Sequence, residues 1–358
     1  MKGYMTVTKA PTYTRRLASL ICCATIALLL CVPGCTPDAP EGPHTPPDSE
    51  EPSPPPDETD EAELAQLMTV LREDADPDER WWAAAALGEL GDTRAVPALT
   101  KALRGDKEQK VRTQAACSLG RIGSPRAVDD LLSGLEDEER VRRQAARALG
   151  EIGADKAVGP LCEKLLDDSS PYVRQSAAWA LGQIGSDAAV DALVQALEKD
   201  AASHVRRSVP AALAAIGDEQ SVGPLVGALE DRDVRVRWEA AKAVSTMGQA
   251  AVELLVSTLG QGSGDARWFA AFALERTGRP KARQEVDLLL EERDIDLKEV
   301  SQDYRADWPY EAMVLALTRH GTREMASYYA NLDPDDFDHV DHWLIVTYAA
   351  GDWLRETD

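Results

Sequence analysis

The sequence predicts an all-α solenoid of stacked helix pairs, and three regularities predict it. Between residues 80 and 278 an Arg is followed eleven residues later by a Gly seven times: Arg80, Arg112, Arg142, Arg174, Arg206, Arg237 and Arg267 precede Gly91, Gly123, Gly153, Gly185, Gly217, Gly248 and Gly278. Successive arginines stand 30 to 32 residues apart, the period of a helix–turn–helix unit stacked on its neighbours. Most Arg-to-Gly runs also hold two adjacent alanines, as at Ala115-Ala116, Ala145-Ala146, Ala177-Ala178, Ala240-Ala241 and Ala270-Ala271. Such small side chains let neighbouring helices approach closely. A unit of about thirty residues cannot bury its apolar face alone, so stacking has to supply the core.

Taken in chain order, the first element is residues 1–34. Lys2, Lys9, Arg15 and Arg16 precede an apolar run from Leu17 to Cys31, short for a spanning helix and the length of a signal-peptide core. The run ends in Val32-Pro33-Gly34-Cys35, which resembles a bacterial lipobox. The resemblance implies a lipoprotein signal peptide, a diacylglycerol on the Cys35 thiol, and a lipid-anchored, extracytoplasmic protein of the bacterial cell envelope. Thr36, rather than Asp, follows the Cys, which by the same resemblance favours the outer over the inner membrane. An ordinary secretory signal cut near Gly34, or an uncleaved anchor, also fits these residues.

Residues 35–59 read as a disordered tether. From Thr36 to Glu63 there are nine prolines, ten acidic residues and no Lys or Arg, a composition that cannot bury enough apolar surface to fold. As extended polyproline, residues 36–59 would reach on the order of 70 Å at about 3.1 Å each.

Residues 60–278 carry the repeats. In one unit Asp92 opens a helix with Ala95, Val96, Leu99, Ala102 and Leu103, a turn follows at Gly105-Asp106, and a second helix carries Val111, Ala115, Ala116, Leu119 and Ile122. Both runs keep the three-and-four spacing of a buried stripe. Gly123 fits a left-handed helix end, and Asp92 or Ser124 fits the cap of the helix that follows.

The phrases Val111-Arg112, Ala115-Ala116, Leu119-Gly120-Arg121-Ile122-Gly123 and Val173-Arg174, Ala177-Ala178, Leu181-Gly182-Gln183-Ile184-Gly185 resemble HEAT-like repeats of the phycobilisome-lyase type. The resemblance implies a right-handed α-solenoid with about seven clear repeats. It also implies a ladder between the seven arginines and the turn residues Asp106, Asp137, Asp168, Asp200 and Asp231. Residues 279–358 fit one or two degenerate repeats or a cap: Ala312–Gly321 and Trp343–Gly351 look like inner helices, but Tyr310 and Val340 stand where Arg is expected.

The precursor carries 39 basic and 62 acidic residues; residues 1–34 hold four basic and no acidic ones, so the remainder has 35 against 62, a net −27. That opposes binding to nucleic acid or to anionic lipid, leaving the lipid anchor as the only expected link to a membrane. Cys117 and Cys162 lie two units apart, too far for a disulfide, and read as buried thiols.

Function is sought where the repeats differ. The residue after each ladder Arg is Trp81, Thr113, Arg143, Gln175, Arg207, Trp238 or Trp268; two after stand Trp82 and Phe269; five after stand Cys117, Arg147, Trp179, Lys242 and Phe272; two before stand Lys110, Arg140, Tyr172, His204 and Arg235. On helices these positions form one stripe. It collects five of the eight tryptophans and two of the three phenylalanines, and Trp with Arg is the composition of interface hot spots. The expectation is a concave groove for a protein or peptide segment, lined by Trp81, Trp82, Lys110, Arg140, Arg143, Arg147, Tyr172, Trp179, Arg207, Trp238, Lys242, Trp268, Phe269 and Phe272. A purely structural spacer or envelope assembly factor is the alternative, and a lyase or chromophore-chaperone subunit a remote one.

Catalysis finds no motif: there is no nucleophile elbow, phosphate loop or Cys pair at metal spacing. No His is followed by Glu, so the iron-binding pairs of HEAT-like deoxyhypusine hydroxylases are missing, and the basic groove of HEAT-like DNA glycosylases does not suit this net charge. Asp335, Asp336, Asp338, His339, Asp341 and His342 read as an acidic loop leading into a helix rather than a metal site. The expectation is therefore a protein without enzymatic activity, cofactor or metal; the sequence leaves its oligomeric state open.

Overall fold

The computed structural model describes residues 58–262, 264–293, 298, 310–332, 334 and 340–357. The expected signal peptide, Cys35, the tether up to residue 57 and the acidic run at residues 335–339 lie outside the described residues.

Seven helix pairs follow one another: α1 (Glu58–Glu73) with α2 (Pro77–Leu90), α3 (Val96–Gly105) with α4 (Gln109–Ile122), α5 (Val128–Gly134) with α6 (Glu139–Ile152), α7 (Val158–Asp167) with α8 (Pro171–Ile184), α9 (Val190–Lys199) with α10 (Ser203–Ile216), α11 (Val222–Gly227) with α12 (Val234–Ser245), and α13 (Gly248–Gln261) with α14 (Gly264–Arg276). They are followed by α15 (Pro280–Arg293), α16 (Tyr310–His320), α17 (Arg323–Ala330) and α18 (Val340–Thr357). The described residues form an all-α solenoid without strands. The second helix of each pair, which carries the ladder Arg, packs extensively on the second helix of the next pair, and the first helices touch one another less. The paired alanines, with Val111, Leu119, Val141, Leu149, Leu181 and their equivalents, are fully buried in this seam.

Two glycines of the repeat phrase do different work. Gly153 ends α6 at φ 71°, a left-handed turn that a side chain would strain. Gly150, one turn earlier, faces α8: a Cβ there would lie 2.7 Å from the Ala180 Cα. The neighbouring helices meet backbone to backbone, and only Gly permits it. Each first helix from α3 to α11 is entered through a single 3-10 turn. Asp92 caps its turn by accepting the Arg94 N–H. Ser124, expected to act similarly, makes no side-chain cap; its carbonyl accepts the Ala127 N–H at 3.0 Å, just as the Asp92 carbonyl accepts that of Ala95. The backbone closes the turn in both cases, so the capping side chain is optional.

Turns and inner helices are tied by charge. Arg174 on α8 donates from Nε and Nη2 to the two carboxylate oxygens of Asp200, at 2.6 and 2.9 Å, and from Nη1 to the Asp168 carbonyl at 2.9 Å. Asp200 belongs to the following unit, where its carboxylate also accepts the Ala202 N–H at 2.8 Å and so fixes the start of α10. One guanidinium thus holds its own turn and the next one. The same bidentate bond joins Arg80 to Asp106, Arg112 to Asp137, Arg142 to Asp168 and Arg206 to Asp231. The last two arginines differ: Gln261 stands where Arg237 would meet its turn Asp, so Arg237 reaches Asp265 at 3.2 Å instead, and Arg267 donates to the Leu259 carbonyl at 2.7 Å.

Burial alone would push the carboxyls of Asp106, Asp137, Asp168 and Asp200 up; the bonds from the ladder arginines and from backbone N–H groups outweigh it and hold all four below the ordinary carboxylate value. A carboxyl depressed on folding stabilises the protein above its unfolded pKa of about 3.9, and that stability is lost as pH falls through the lower folded value. Urea midpoints should therefore fall as the pH is lowered below about 4, and Asp168→Asn should flatten that dependence while lowering stability at pH 7. An unchanged acid limb in Asp168→Asn would contradict the ladder's role.

Candidate functional site: the variable stripe of the inner helices

The stripe is divided into a covered end and an open middle. At the covered end Trp238, Phe269 and Phe272 are only 3, 3 and 4% exposed. The rings of Trp238 and Phe272 stack with centroids 4.4 Å apart, and Tyr310, Val314 and Leu315 of α16 and Ile345 of α18 share their cleft, together with half-buried Trp268. Polar groups close the contact. The Trp238 indole N–H and the Lys242 ammonium converge on one carboxylate oxygen of Asp352, at 3.0 and 2.9 Å, and Arg276 bonds Glu356 at 3.0 Å. Burial of Asp352 is outweighed by Lys242, Trp238 and Arg355, which hold its carboxyl below the usual range.

This corrects the expected groove: Trp238, Lys242, Trp268, Phe269 and Phe272 serve the chain's own C-terminal helices. The reason is physical. Rings of this size gain most from burial, and α16 and α18 reach them without the translational and rotational cost of binding a separate molecule. The sequence carried a signal, since α18 has its own apolar set in Ile345, Val346, Ala349 and Ala350, all buried, which needs a face to cover.

Glu275 was also missed. It occupies the position held in earlier units by Gly88, Gly120, Gly150 and Gly182 and then by the small residues Ala214 and Ser245, and a side chain of its size does not allow the same close approach between inner helices after α14. Its side chain is 0% exposed and is held by Arg319 of α16, whose Nε lies at 3.0 Å and which also pairs with Asp287 at 2.6 Å. The first large side chain at this position coincides with the end of the regular stack.

Toward the N-terminus the rings of Trp81 and Trp82 meet edge to face at 5.2 Å. Trp81 packs against the core while Trp82 is 44% exposed. Lys110 is paired with Asp78.

In the middle the Arg147 guanidinium lies 4.9 Å from the centre of the Trp179 ring, within range of a cation–π contact. Tyr172, 53% exposed, stacks on His204 at 5.2 Å. Arg140, Arg143 and Arg147 are exposed and Arg207 half-buried. Among the described residues Arg140, Arg143 and Arg207 make no ion pair or hydrogen bond, in contrast to every ladder Arg. This section offers flat rings and uncommitted guanidinium groups, which suit carboxylates and apolar edges. Cys117 and Cys162 are half-buried free thiols that burial pushes above their ordinary pKa, so they are protonated at neutral pH. Among the described residues no set of three or more His, Cys, Asp or Glu could hold a metal ion, and no helix is long and apolar enough to cross a membrane.

Fold and stripe together define a helical-repeat solenoid whose inner helices carry different side chains along one stripe. The HEAT-repeat family matches residues 64–140, 130–214 and 193–275, more than half of the chain, and the protein belongs to that family. Solved structures similar to it include human deoxyhypusine hydroxylase in complex with glycerol, 25% identical over 60% of this chain and 83% of that one, with a TM-score of 0.30. Another is the complex of CpcE and CpcF of phycocyanin lyase from Nostoc, 23% identical over 86% of this chain and 100% of that one, TM-score 0.34. An engineered protein is 22% identical over 83% of this chain and 89% of that one, TM-score 0.42. No curated protein sequence matches.

Replacing Asp352 by Ala leaves the Trp238 N–H and the Lys242 ammonium without their shared acceptor. The expected loss is about 2 kcal/mol of stability, measured by urea unfolding, with a change in near-ultraviolet circular dichroism from the loosened Trp238; an unaltered midpoint and spectrum would show that α18 is held by its apolar contacts alone.

Proposed function

We propose that this HEAT-repeat protein is a lipid-anchored, extracytoplasmic scaffold that holds a protein segment on the open middle of its inner-helix stripe and performs no chemistry. The observation that carries the reading is the set of uncommitted cations at exposed Arg140 and Arg143 and half-buried Arg207, beside the Arg147–Trp179 pair, in a chain whose ladder arginines are bound to Asp or backbone. Retaining four cations on one side of a strongly acidic protein favours a ligand that brings carboxylates. The anchor follows from the resemblance of residues 32–35 to a lipobox, and two or three acyl chains would hold a soluble domain at a membrane surface. A spacer role gains support from the covered end of the stripe, where the aromatic residues are used for packing.

Affinity capture from the native envelope separates these roles. Wild type should retain a partner that a folded Arg143→Glu, Arg147→Glu, Trp179→Ala variant loses, and Cys35→Ala should move the protein out of the membrane fraction. The same proteins caught by both would contradict the binding role, and Cys35→Ala remaining with membranes would contradict the lipid anchor.

A further inference from the structure

The way α18 is seated shows what the stripe can recognise. Trp238 and Lys242, one turn apart on α12, take a single carboxylate from Asp352, and Glu356, one turn further along α18, meets Arg276 of α14. Two carboxylates one turn apart on one helix are thus matched to cations on two neighbouring inner helices, while Ile345 of the same helix enters the aromatic cleft. The open middle repeats the first part of this arrangement without an occupant from the described chain, while Gln183 of α8 stands at the position of Arg276. Arg143 and Arg147 stand one turn apart on α6 at the same stripe positions as Trp238 and Lys242 on α12. The Trp179 ring lies beside Arg147, and among the described residues its indole N–H has no acceptor.

We infer that the open section binds an acidic amphipathic helix of a partner protein, which presents two carboxylates one turn apart to Arg143, Arg147 and Trp179. The inference rests on the binding role proposed above and specifies its ligand. A helix is favoured over an extended segment because the stripe is made of helix faces: it has no sheet edge to pair with a bare backbone, whereas a helix satisfies its own N–H and C=O groups. Residues one turn apart rise about 6 Å along a helix, and Arg143 and Arg147 stand one turn apart on α6, so two carboxylates one turn apart on a partner helix match their spacing. The charge is complementary as well: the partner supplies the carboxylates that these guanidinium groups lack, each pair being a charge-assisted hydrogen bond in a partly sheltered site. A nucleic acid would also meet the cations, but the net −23 of the whole chain opposes the approach of a long polyanion.

The test uses the full-length protein and fluorescence anisotropy with three labelled peptides. The first is an Ala-rich helix of about 18 residues with Leu on one face and two Glu one turn apart beside it. In the second both Glu are replaced by Gln, and the third is a Pro-rich extended peptide with the same two Glu. The Glu helix should bind at least about tenfold more tightly than the Gln helix, with an affinity that falls as salt is raised, and Arg143→Glu with Arg147→Glu should abolish the difference. Both arginines are exposed, and circular dichroism checks that the variant is folded. Binding of the Pro-rich peptide as tightly as the Glu helix, with the same dependence on Arg143 and Arg147, would overturn the helix assignment and leave the binding role standing. Equal binding of the Glu and Gln helices, or of neither, would overturn the carboxylate assignment; envelope capture then decides separately whether the stripe binds a partner at all.

Discussion

Every level of this structure depends on the fork of one guanidinium. A ladder Arg bonds its own turn through a backbone carbonyl and the next turn through both oxygens of an Asp, and that Asp in turn fixes the first N–H of the following inner helix. Lys could not do this, since three directions must be satisfied from one planar group. The pair is mostly buried, and burying charge is costly unless it is paired and well hydrogen-bonded. Here the Arg174 guanidinium donates three bonds and the Asp200 carboxylate accepts three, and the return is register: successive inner helices stand at the separation where Gly and Ala can meet backbone to backbone, as Gly150 and Ala180 do. The apolar seam supplies the driving force, and the ladder sets where each unit sits.

A fixed frame leaves one face free to vary, and the chain uses that face in two ways. At the C-terminal end two sequence changes break the repeat: Gln261 removes a ladder acceptor and Glu275 blocks the close approach after α14. The chain then turns α16 and α18 onto the stripe, covering its richest aromatic surface with its own apolar residues. Further toward the N-terminus the repeat is regular, nothing in the described chain covers the stripe, and Arg143, Arg147, Trp179 and Tyr172 are left at the surface. The same surface chemistry is therefore consumed internally at one end and exposed at the other.

What could be read from the sequence follows the same division. The helix pairs, the left-handed glycines, the buried alanines and the Arg–Asp ladder are local or repeat in register, so each unit reinforces the reading of the others. The fate of the stripe is not local. Trp238 meets Asp352 across more than a hundred residues, and no periodicity links them; the composition of the stripe announces only that large rings need cover, without saying whether the cover comes from a partner or from the chain. Trp179 and Trp238 stand on the same stripe in the sequence, and the return of α18 onto Trp238 separates their roles. The change from small residues to Glu at residue 275 is visible in the sequence, but its meaning depends on knowing that the earlier glycines face a neighbouring backbone.

Coupling between units is the property on which the solenoid depends, and a double-mutant cycle of Arg174→Met and Asp200→Asn measures it most directly. If the fork joins one unit to the next, the two substitutions should be strongly non-additive in urea unfolding, with a coupling energy of about 2 kcal/mol. Additive losses, with a coupling near zero, would mean that apolar stacking alone sets the register and that the ladder is incidental.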